Sequence, residues 1–324
     1  MAGNVALLPP MATLTQLEYL LALQRERHFG RAAAACHVSQ PTLSTQVQKL
    51  EAELGVVVFD RQTRPLEPTA PGRRVLELAR DVVSAHQRLL ASVAAMGELA
   101  GPFTLGVIPT LAPYVLPWFL GPFAERHPRV ELTVVERPTE AIVRELHEGR
   151  MDAAVLATPV DEAALVEERL FYDPFYVYAQ AGSPVLEADA VDLAQLDPGQ
   201  LWLLEDGHCF RVQVIHLCGL NHRTLLGSVR FAGGSFETLR GLIDRNGGHT
   251  LVPETYAMTL SRSVRQAQVR PLLDRVPVRE VGLIHHRSSW KVELREALLH
   301  VLRDHVPRAL SSELADGEVL SIHD

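Results

Sequence analysis

Two cysteines nine positions apart are the residues of this 324-residue chain with the clearest capacity for chemistry. Cys209 and Cys218 lie in the segment LEDGHCFRVQVIHLC, in which His208 and Arg211 flank the first cysteine. A cysteine reacts as its thiolate, and neighbouring basic groups raise the thiolate fraction. The pattern favours a reactive Cys209 with Cys218 as the thiol that resolves its oxidised form. The alternative is that both are small apolar core residues, which is common for intracellular cysteines.

The spacing of the two cysteines adds a geometric condition. If residues 210–217 form a helix, the Cα atoms of Cys209 and Cys218 lie roughly 13 Å apart. A disulfide requires Cα atoms within about 7 Å of each other. Oxidation to a disulfide would therefore require the intervening segment to refold, which makes this segment a candidate two-state switch.

The composition of the chain excludes several classes of protein. With 47% apolar and 22% charged residues, it can bury sizeable cores and is not a disordered chain. A net charge of −8 excludes nucleic-acid binding by overall charge but leaves a small DNA-binding module open. The three cysteines include no C-x-x-C pair, and neither a leader peptide nor an apolar run of transmembrane length is evident. We expect a cytoplasmic protein with no membrane partner, no metal and no cofactor.

Helical patterns near the N-terminus predict a DNA-binding unit. A first helix from Leu14 and an alanine-rich helix over about 29–36 precede a third helix, for which Ser39 suits the N-cap and Gly55 the end. Two helices joined by a tight turn, the second with a polar face, are typical of a helix-turn-helix motif. Residues 56–65 predict a small strand–turn–strand wing. The alternative is a generic helical hairpin with a solvated polar face.

The segment FGRAAAACHVSQPTLSTQVQKLEAELGVVVFDR, followed by PTAPG, resembles the N-terminal winged helix-turn-helix of LysR-type transcriptional regulators. The resemblance implies binding of double-stranded DNA, with groove contacts from Gln40, Pro41, Thr42, Ser44, Thr45 and Gln48 and backbone contacts from Arg31, Arg61 and Arg64. It also implies that the amphipathic helix predicted from Gly72 to about Met96 pairs two subunits. A homodimer or homotetramer would then bind a roughly two-fold symmetric site, with RNA polymerase as a further partner.

Alternating strand and helix patterns from Phe103 onward predict a doubly wound α/β domain, with a strand at the apolar run LWLLE. Their order resembles the two-lobed, periplasmic-binding-protein-like effector domain of the same family, in which a cleft lies between the lobes. The predicted boundaries are a leader at 1–13, the winged helix-turn-helix at 14–71, the linker helix and hinge at 72–100, the regulatory domain at 101–310 and a tail at 311–324. Lobe I covers about 101–173 and 276–310, and lobe II about 174–275.

Two motifs, GVIPTLAPYVLP and LLEDGHCFRVQVIHLC, resemble the peroxide-sensing OxyR branch of this family, where the motifs run IPTxxPYLLP and LEDGHCLRDQxxxxC. The resemblance implies that hydrogen peroxide oxidises Cys209 to a sulfenic acid and that Cys218 resolves it to a disulfide. It further implies that Thr110 orients the peroxide, that His208 and Arg211 shape the thiol pocket, and that Thr139 is a further polar group there.

The chain departs from the branch pattern at two places. Val212 occupies the position of the motif's aspartate, and His285-His286-Arg287 replaces a Tyr-Arg pair near the last long strand. The arginine is thus shifted by one residue, and such a shift reverses the direction in which a strand residue faces, so the sequence leaves open whether Arg287 or His286 serves the thiol pocket.

Other interpretations of these residues remain open. Thr110 could cap the helix after its strand, and Arg211 could pair with Asp206 at the surface. The regulator could instead respond to a small organic effector bound in the cleft, with incidental cysteines. A thiol peroxidase is a rival from a different class, and the helix-turn-helix argues against it.

Overall fold

The computed structural model describes residues 12–94, 99–205, 209–219, 233–273, 276–310, 313 and 317–322, with the backbone alone for 91–94. These residues form two compact units, an N-terminal helical unit and a C-terminal α/β unit. Several predicted features lie outside the described residues, namely most of the leader 1–13, residues 95–98 of the linker and hinge, Asp206, His208 and much of the tail 311–324.

The N-terminal unit consists of three short helices, a two-stranded wing and one long helix, namely α1 (Leu14–Glu26), α2 (Phe29–Ala35), α3 (Gln40–Leu54), β1 (Phe59–Asp60), β2 (Glu67–Pro68) and α4 (Ala70–Ala94). Local capping explains the helix boundaries. The Thr13 side chain accepts from the N–H of Gln16, and the Ser39 side chain accepts from the N–H of Thr42. Gly55, at a φ of 66°, ends α3 in the left-handed region that favours glycine.

The long helix α4 has two different apolar faces. Leu76 and Ala79 are buried, and Leu76 belongs to the core formed by α1, α2 and α3. Other large apolar side chains of the same helix are exposed, namely Leu78, Val82, Leu89 and Leu90. An exposed apolar stripe on a helix indicates a partner surface. No helix within the described ranges has the length and apolar character needed to span a bilayer.

The C-terminal unit is built on a mixed sheet. Its elements are β3 (Gly101–Val107), α5 (Ala112–Arg126), β4 (Val130–Glu136), α6 (Thr139–His147), β5 (Ala153–Thr158), β6 (Leu165–Ala179), α7 (Cys209–Leu217), α8 (Phe236–Asn246), β7 (His249–Pro253), α9 (Glu254–Ala257), α10 (Arg262–Gln268), β8 (Val269–Pro271), β9 (Val276–His286), α11 (Val292–His305) and β10 (Gly317–Val319). The strands follow the order β4-β3-β5-β9-β6-β7, with β10 paired to β9 and β8 paired to β6. Strand β3 is parallel to β4 and β5, whereas β9 is antiparallel to β5 and β6.

Two hydrophobic cores define two lobes. The first lobe packs β3, β5, α5 and α11 around side chains such as Phe119, and the second packs β7, α8 and α9 around side chains such as Tyr256. Strand β6 runs through both lobes, because Phe171 belongs to the first core and Phe175 to the second. The predicted α/β class with a two-lobed regulatory domain is confirmed.

Three details of the C-terminal unit differ from the sequence prediction. The LWLLE segment is buried but forms only an isolated bridge between Leu201 and His249, so the predicted strand there is wrong. The 15-residue strand β6 and the short strand β10 were not predicted. Strand β10 lies in the predicted tail, where Leu320 and Ile322 are buried in the second and first cores.

Candidate functional site

The predicted reactive cysteine is the first residue of helix α7. The N–H of Cys218 donates to the carbonyl of Val214 at 3.0 Å, so helical hydrogen bonding continues from Cys209 to Cys218. Cys209 is buried and Cys218 is half-buried, and both are free thiols, as is Cys36. The helical premise is met, and the two Cα atoms lie roughly 13 Å apart. This helix therefore excludes a disulfide between them.

A buried ion pair lies at the junction of the two lobes. Arg279 of β9 and Asp173 of β6 are directly opposed in the strand register. Both side chains have 0% exposure, and Nη2 and Nε of Arg279 lie 2.8 and 2.9 Å from Oδ2 of Asp173. Charges this deeply buried are tolerated only when paired and hydrogen-bonded, so the pair constrains both strands.

Two threonines complete the hydrogen bonding of this pair. Arg279 donates from Nη1 to the hydroxyl of Thr110 at 3.2 Å and from Nη2 to the Thr110 carbonyl at 3.3 Å. It also donates to the hydroxyl of Thr255, which donates in turn to Asp173 at 2.7 Å. The four residues, which we call the arginine hub, join the loop after β3, the two long strands and helix α9.

The arginine hub acts electrostatically on Cys209. Burial raises the pKa of the Cys209 thiol, and the positive charge of Arg279, the Thr139 hydroxyl and the backbone amides at the start of α7 oppose that rise. Burial also raises the pKa of Cys218 to about 11. The resting thiols are therefore protonated at neutral pH, and Arg279 is the charged residue that favours the thiolate of Cys209.

The predicted pocket residues have different positions. Thr110 is buried in the hub and does not cap α5, whose N-cap residue is Leu111. Thr139 begins α6, and its buried hydroxyl lowers the pKa of the Cys209 thiol but makes no hydrogen bond within the described residues. Arg211 donates from Nη1 to the carbonyl of Leu204 at 2.8 Å, on the chain preceding α7. The structure thus places Thr139 near the sulfur of Cys209, and it places Thr110 against Arg279.

A basic residue that the sequence did not single out acts on Cys209. The arginine that acts on Cys209 is Arg279, seven residues before His286 and therefore roughly 23 Å away along an extended strand. Arg287 is exposed, and the ring of His286 packs against that of His147 at 5.7 Å.

Sequence reasoning also missed a buried glutamine on α7. Gln213 has 0% exposure and donates from Nε2 to the carbonyl of Leu320, just after β10, at 3.1 Å. Within the described residues, its Oε1 has no hydrogen-bond partner. Helix α7 is thus bonded to the backbone just after β10, and one acceptor of Gln213 is buried without a partner there. Val212, beside it, is half-buried.

The predicted DNA-contacting residues form a polar face on the N-terminal unit. Leu43, Val47 and Leu50 of α3 are buried in the core. The predicted groove residues lie on the remaining faces, with Ser44 half-buried and the others exposed, namely Gln40, Pro41, Thr42, Thr45 and Gln48. This face presents amide and hydroxyl groups, which suit base edges and phosphates.

The three predicted backbone-contacting arginines have different surroundings. Arg31 and Arg64 are exposed. Arg61 pairs with Glu51 at 2.9 Å, and the same carboxylate accepts from the backbone N–H of Val58 at 2.8 Å. Arg61 therefore helps to fasten the wing to α3, and Arg64 is the better candidate for a phosphate contact.

Two family models match the chain. Residues 14–73 match the bacterial regulatory helix-turn-helix protein, lysR family, and residues 96–307 match the LysR substrate binding domain. The chain belongs to the LysR family of transcriptional regulators.

Within this family the chain is similar to OxyR proteins. It is 34% identical over 294 residues to the DNA-binding transcriptional dual regulator OxyR of Escherichia coli K12, covering 90% of this chain and 94% of that protein. A solved cysteine mutant of full-length OxyR from Pseudomonas aeruginosa superposes with a TM-score of 0.79 at 32% identity, covering 94% of this chain and 100% of that one. A peroxide-bound OxyR mutant from Corynebacterium glutamicum gives a TM-score of 0.58 at 30% identity, covering 92% of this chain and 94% of that one.

Replacing Arg279 by Met should destabilise the C-terminal unit by about 3–5 kcal/mol, because Asp173 would keep a buried, unpaired charge. Urea unfolding measures the loss. In the double variant Asp173→Asn with Arg279→Met the loss should be clearly smaller, since neither side chain carries a charge. Equal losses in the single and double variants would show that the ion pair does not have the assigned energetic role.

The pH dependence of Cys209 alkylation should show a protonated resting thiol. Only the thiolate reacts, so a pKa raised above its usual value makes the rate rise roughly tenfold per pH unit from pH 6 to about pH 8, without a plateau. Iodoacetamide kinetics in a Cys36→Ser, Cys218→Ser background measure this rate. A plateau below pH 8 would contradict the assigned direction of the pKa shift.

Arg64→Ala should weaken DNA binding at all sequences and reduce the salt dependence of log K by about one unit of slope, as expected for one lost phosphate contact. Fluorescence anisotropy across a salt series measures both. Arg61→Ala is the matched comparison in the same wing. It should lower the melting temperature of the N-terminal unit, because the ion pair between Arg61 and Glu51 is lost. If Arg64→Ala leaves the slope unchanged, Arg64 does not contact phosphate.

Proposed function

We propose that the protein is a DNA-binding transcriptional regulator switched by hydrogen peroxide through Cys209. The observation that carries the proposal is the position of Cys209, buried beside Arg279 and Thr139 at the start of a helix whose other end carries Cys218. Relatives with similar sequences along nearly their whole length are named hydrogen peroxide-inducible genes activators.

The first chemical step is oxidation of the Cys209 thiol. Its sulfur attacks one oxygen of the peroxide, an S–O bond forms, and the O–O bond breaks. The leaving hydroxide takes up the proton lost by the thiol, so the products are a sulfenic acid and water. Thr110 and Thr139 supply hydroxyls that orient the peroxide, and Arg279 stabilises the negative charge that develops during attack. His208 and Arg211 remain proposed members of the same pocket.

The second step forms the disulfide. The sulfur of Cys218 attacks the sulfur of the sulfenic acid, the S–S bond forms, the S–O bond breaks, and water leaves. Because α7 holds the two Cα atoms roughly 13 Å apart, the helix must unwind before or during this step. Unwinding removes Cys209 from the first core and the rest of α7 from the second. The covalent change thereby alters how the two lobes pack.

The DNA-binding part of the proposal rests on the family and on two surfaces. The polar face of α3 suits a major groove, and the exposed apolar stripe of α4 suits the same stripe of a second copy. A homodimer built through α4 presents two such faces to a roughly two-fold symmetric site, and two dimers give a tetramer. Contact with RNA polymerase and a cytoplasmic location belong to the same proposal.

Two other functions are weaker candidates. In a regulator of the effector-binding type, a small organic molecule would bind between the lobes, but here the arginine hub and the aromatic rings of Tyr114, Phe236 and Tyr256 occupy that junction. A thiol peroxidase would turn over continuously with a reductant, and such turnover would replace the regulatory proposal. The protein is proposed as a regulator and not as an enzyme.

The deciding experiment is mass spectrometry of the protein after mild peroxide, combined with DNA footprints of the reduced and oxidised forms. We expect a peptide cross-linked between Cys209 and Cys218 and a footprint that changes with oxidation. Absence of the cross-link together with an unchanged footprint would rule out the proposal.

Cysteine variants separate the roles of the two thiols. Cys209→Ser should abolish the change of footprint while leaving the affinity of the reduced protein for DNA within about twofold, because the substitution lies outside the DNA-binding unit. Cys36→Ser is the matched control and should respond as the unmodified protein does. If Cys218→Ser still changes its footprint, the switch operates through a stable sulfenic acid at Cys209 and not through the disulfide.

A further inference from the structure

Phe210 follows the reactive cysteine but belongs to the other lobe. Cys209 packs in the first core, whereas Phe210 has only 1% exposure and packs in the second. The first turn of α7 is therefore divided between the two lobes. Arg279 links the two, because it lies over the Phe210 ring and acts on the sulfur of Cys209.

The ring of Phe210 has three close neighbours. It stacks on Phe175 with centroids 4.9 Å apart and planes 14° apart, and it meets Phe236 edge to face at 4.9 Å. The central carbon of the Arg279 guanidinium lies over the same ring, 5.4 Å from its centroid. Arginine over a buried aromatic ring is an attractive cation–π arrangement, which is strongest where water is excluded.

The hydrogen bonds of Arg279 leave the flat faces of its guanidinium available for this contact. Its N–H groups donate from the edge of the plane to Asp173, Thr110 and Thr255. Hydrogen bonds at the edge fix the position of the group, and contact with an aromatic face limits its tilt. Phe210 is thus the ring on α7 that contacts the cation acting on Cys209.

We propose that Phe210 is a positioning residue of the peroxide reaction, whose ring holds the Arg279 guanidinium in the orientation from which it acts on the sulfur of Cys209. The inference rests on the proposed function. The OxyR motif has leucine at this position, and a leucine fills similar space without offering a π face. The contact also exists only while the first turn of α7 is folded, so unwinding the helix releases the guanidinium from the ring.

The test uses Phe210→Leu in a Cys36→Ser, Cys218→Ser background of the full chain, with Phe236→Leu as the matched control. Phe236 belongs to the same aromatic cluster and contacts the Phe210 ring, whereas the described cation–π contact of Arg279 is with Phe210. The measurements are the rate constants of Cys209 with hydrogen peroxide and with iodoacetamide from pH 6 to 9. Melting temperatures identify general loss of packing.

We expect Phe210→Leu to slow both reactions about three- to tenfold at pH 7.5. The pH profile of alkylation should move towards higher pH. Phe236→Leu should lower the melting temperature to a similar extent and change the rates less than twofold. Phe210→Met, which also fills space without a π face, should reproduce the leucine result and replaces the leucine variant if that variant does not fold.

Equal effects of Phe210→Leu and Phe236→Leu on the pH profile would overturn the inference. If the parent does not react with peroxide, the proposed function fails, and the alkylation profile still decides the role of Phe210.

Discussion

The ion pair between Arg279 and Asp173 is the interaction on which the C-terminal unit depends. Moving two charges into a protein interior costs several kcal/mol per ion, and only a complete set of hydrogen bonds offsets that cost. The set is supplied by Thr110 from the loop after β3 and by Thr255 from α9, so the pair is satisfied only when both lobes are folded against the same two strands. The junction therefore has one well-defined arrangement, and the sulfur of Cys209 lies within the influence of its charge.

Helix α7 combines two requirements that cannot be met together. As a helix it buries Cys209 in one core and Phe210 in the other, which stabilises the reduced state. A disulfide between its ends needs the Cα atoms to approach to about half of their helical separation. The chemistry of the thiols and the packing of the helix thus oppose each other. The free energy released when the disulfide forms must exceed the packing free energy lost when α7 unwinds. The difference between the two determines how oxidising the surroundings must be.

Local signals allowed the N-terminal unit to be predicted, whereas helix α7 entered only as a premise about the two cysteines. Ser39 and Gly55 mark the ends of α3 by themselves, and the spacing of Cys209 and Cys218 needs only the geometry of one helix. The arginine hub could not be found in this way, because the partners Asp173 and Arg279 are 106 residues apart and meet through strand register. A usable signal was nevertheless present: each is a charged residue within a mainly apolar strand. The LWLLE prediction failed because a short apolar run shows burial and does not show which backbone groups will pair.

The bond between Gln213 and the carbonyl of Leu320 has a consequence for how the protein is made. The two residues are 107 positions apart in the chain. At about 5–20 residues per second, translation delivers the two partners roughly 5 to 20 s apart. On a ribosome, helix α7 is therefore synthesised before Leu320, whose carbonyl accepts the hydrogen bond from Gln213. Newly made molecules therefore pass through an interval in which Cys209 and helix α7 are present but the partner of Gln213 is not.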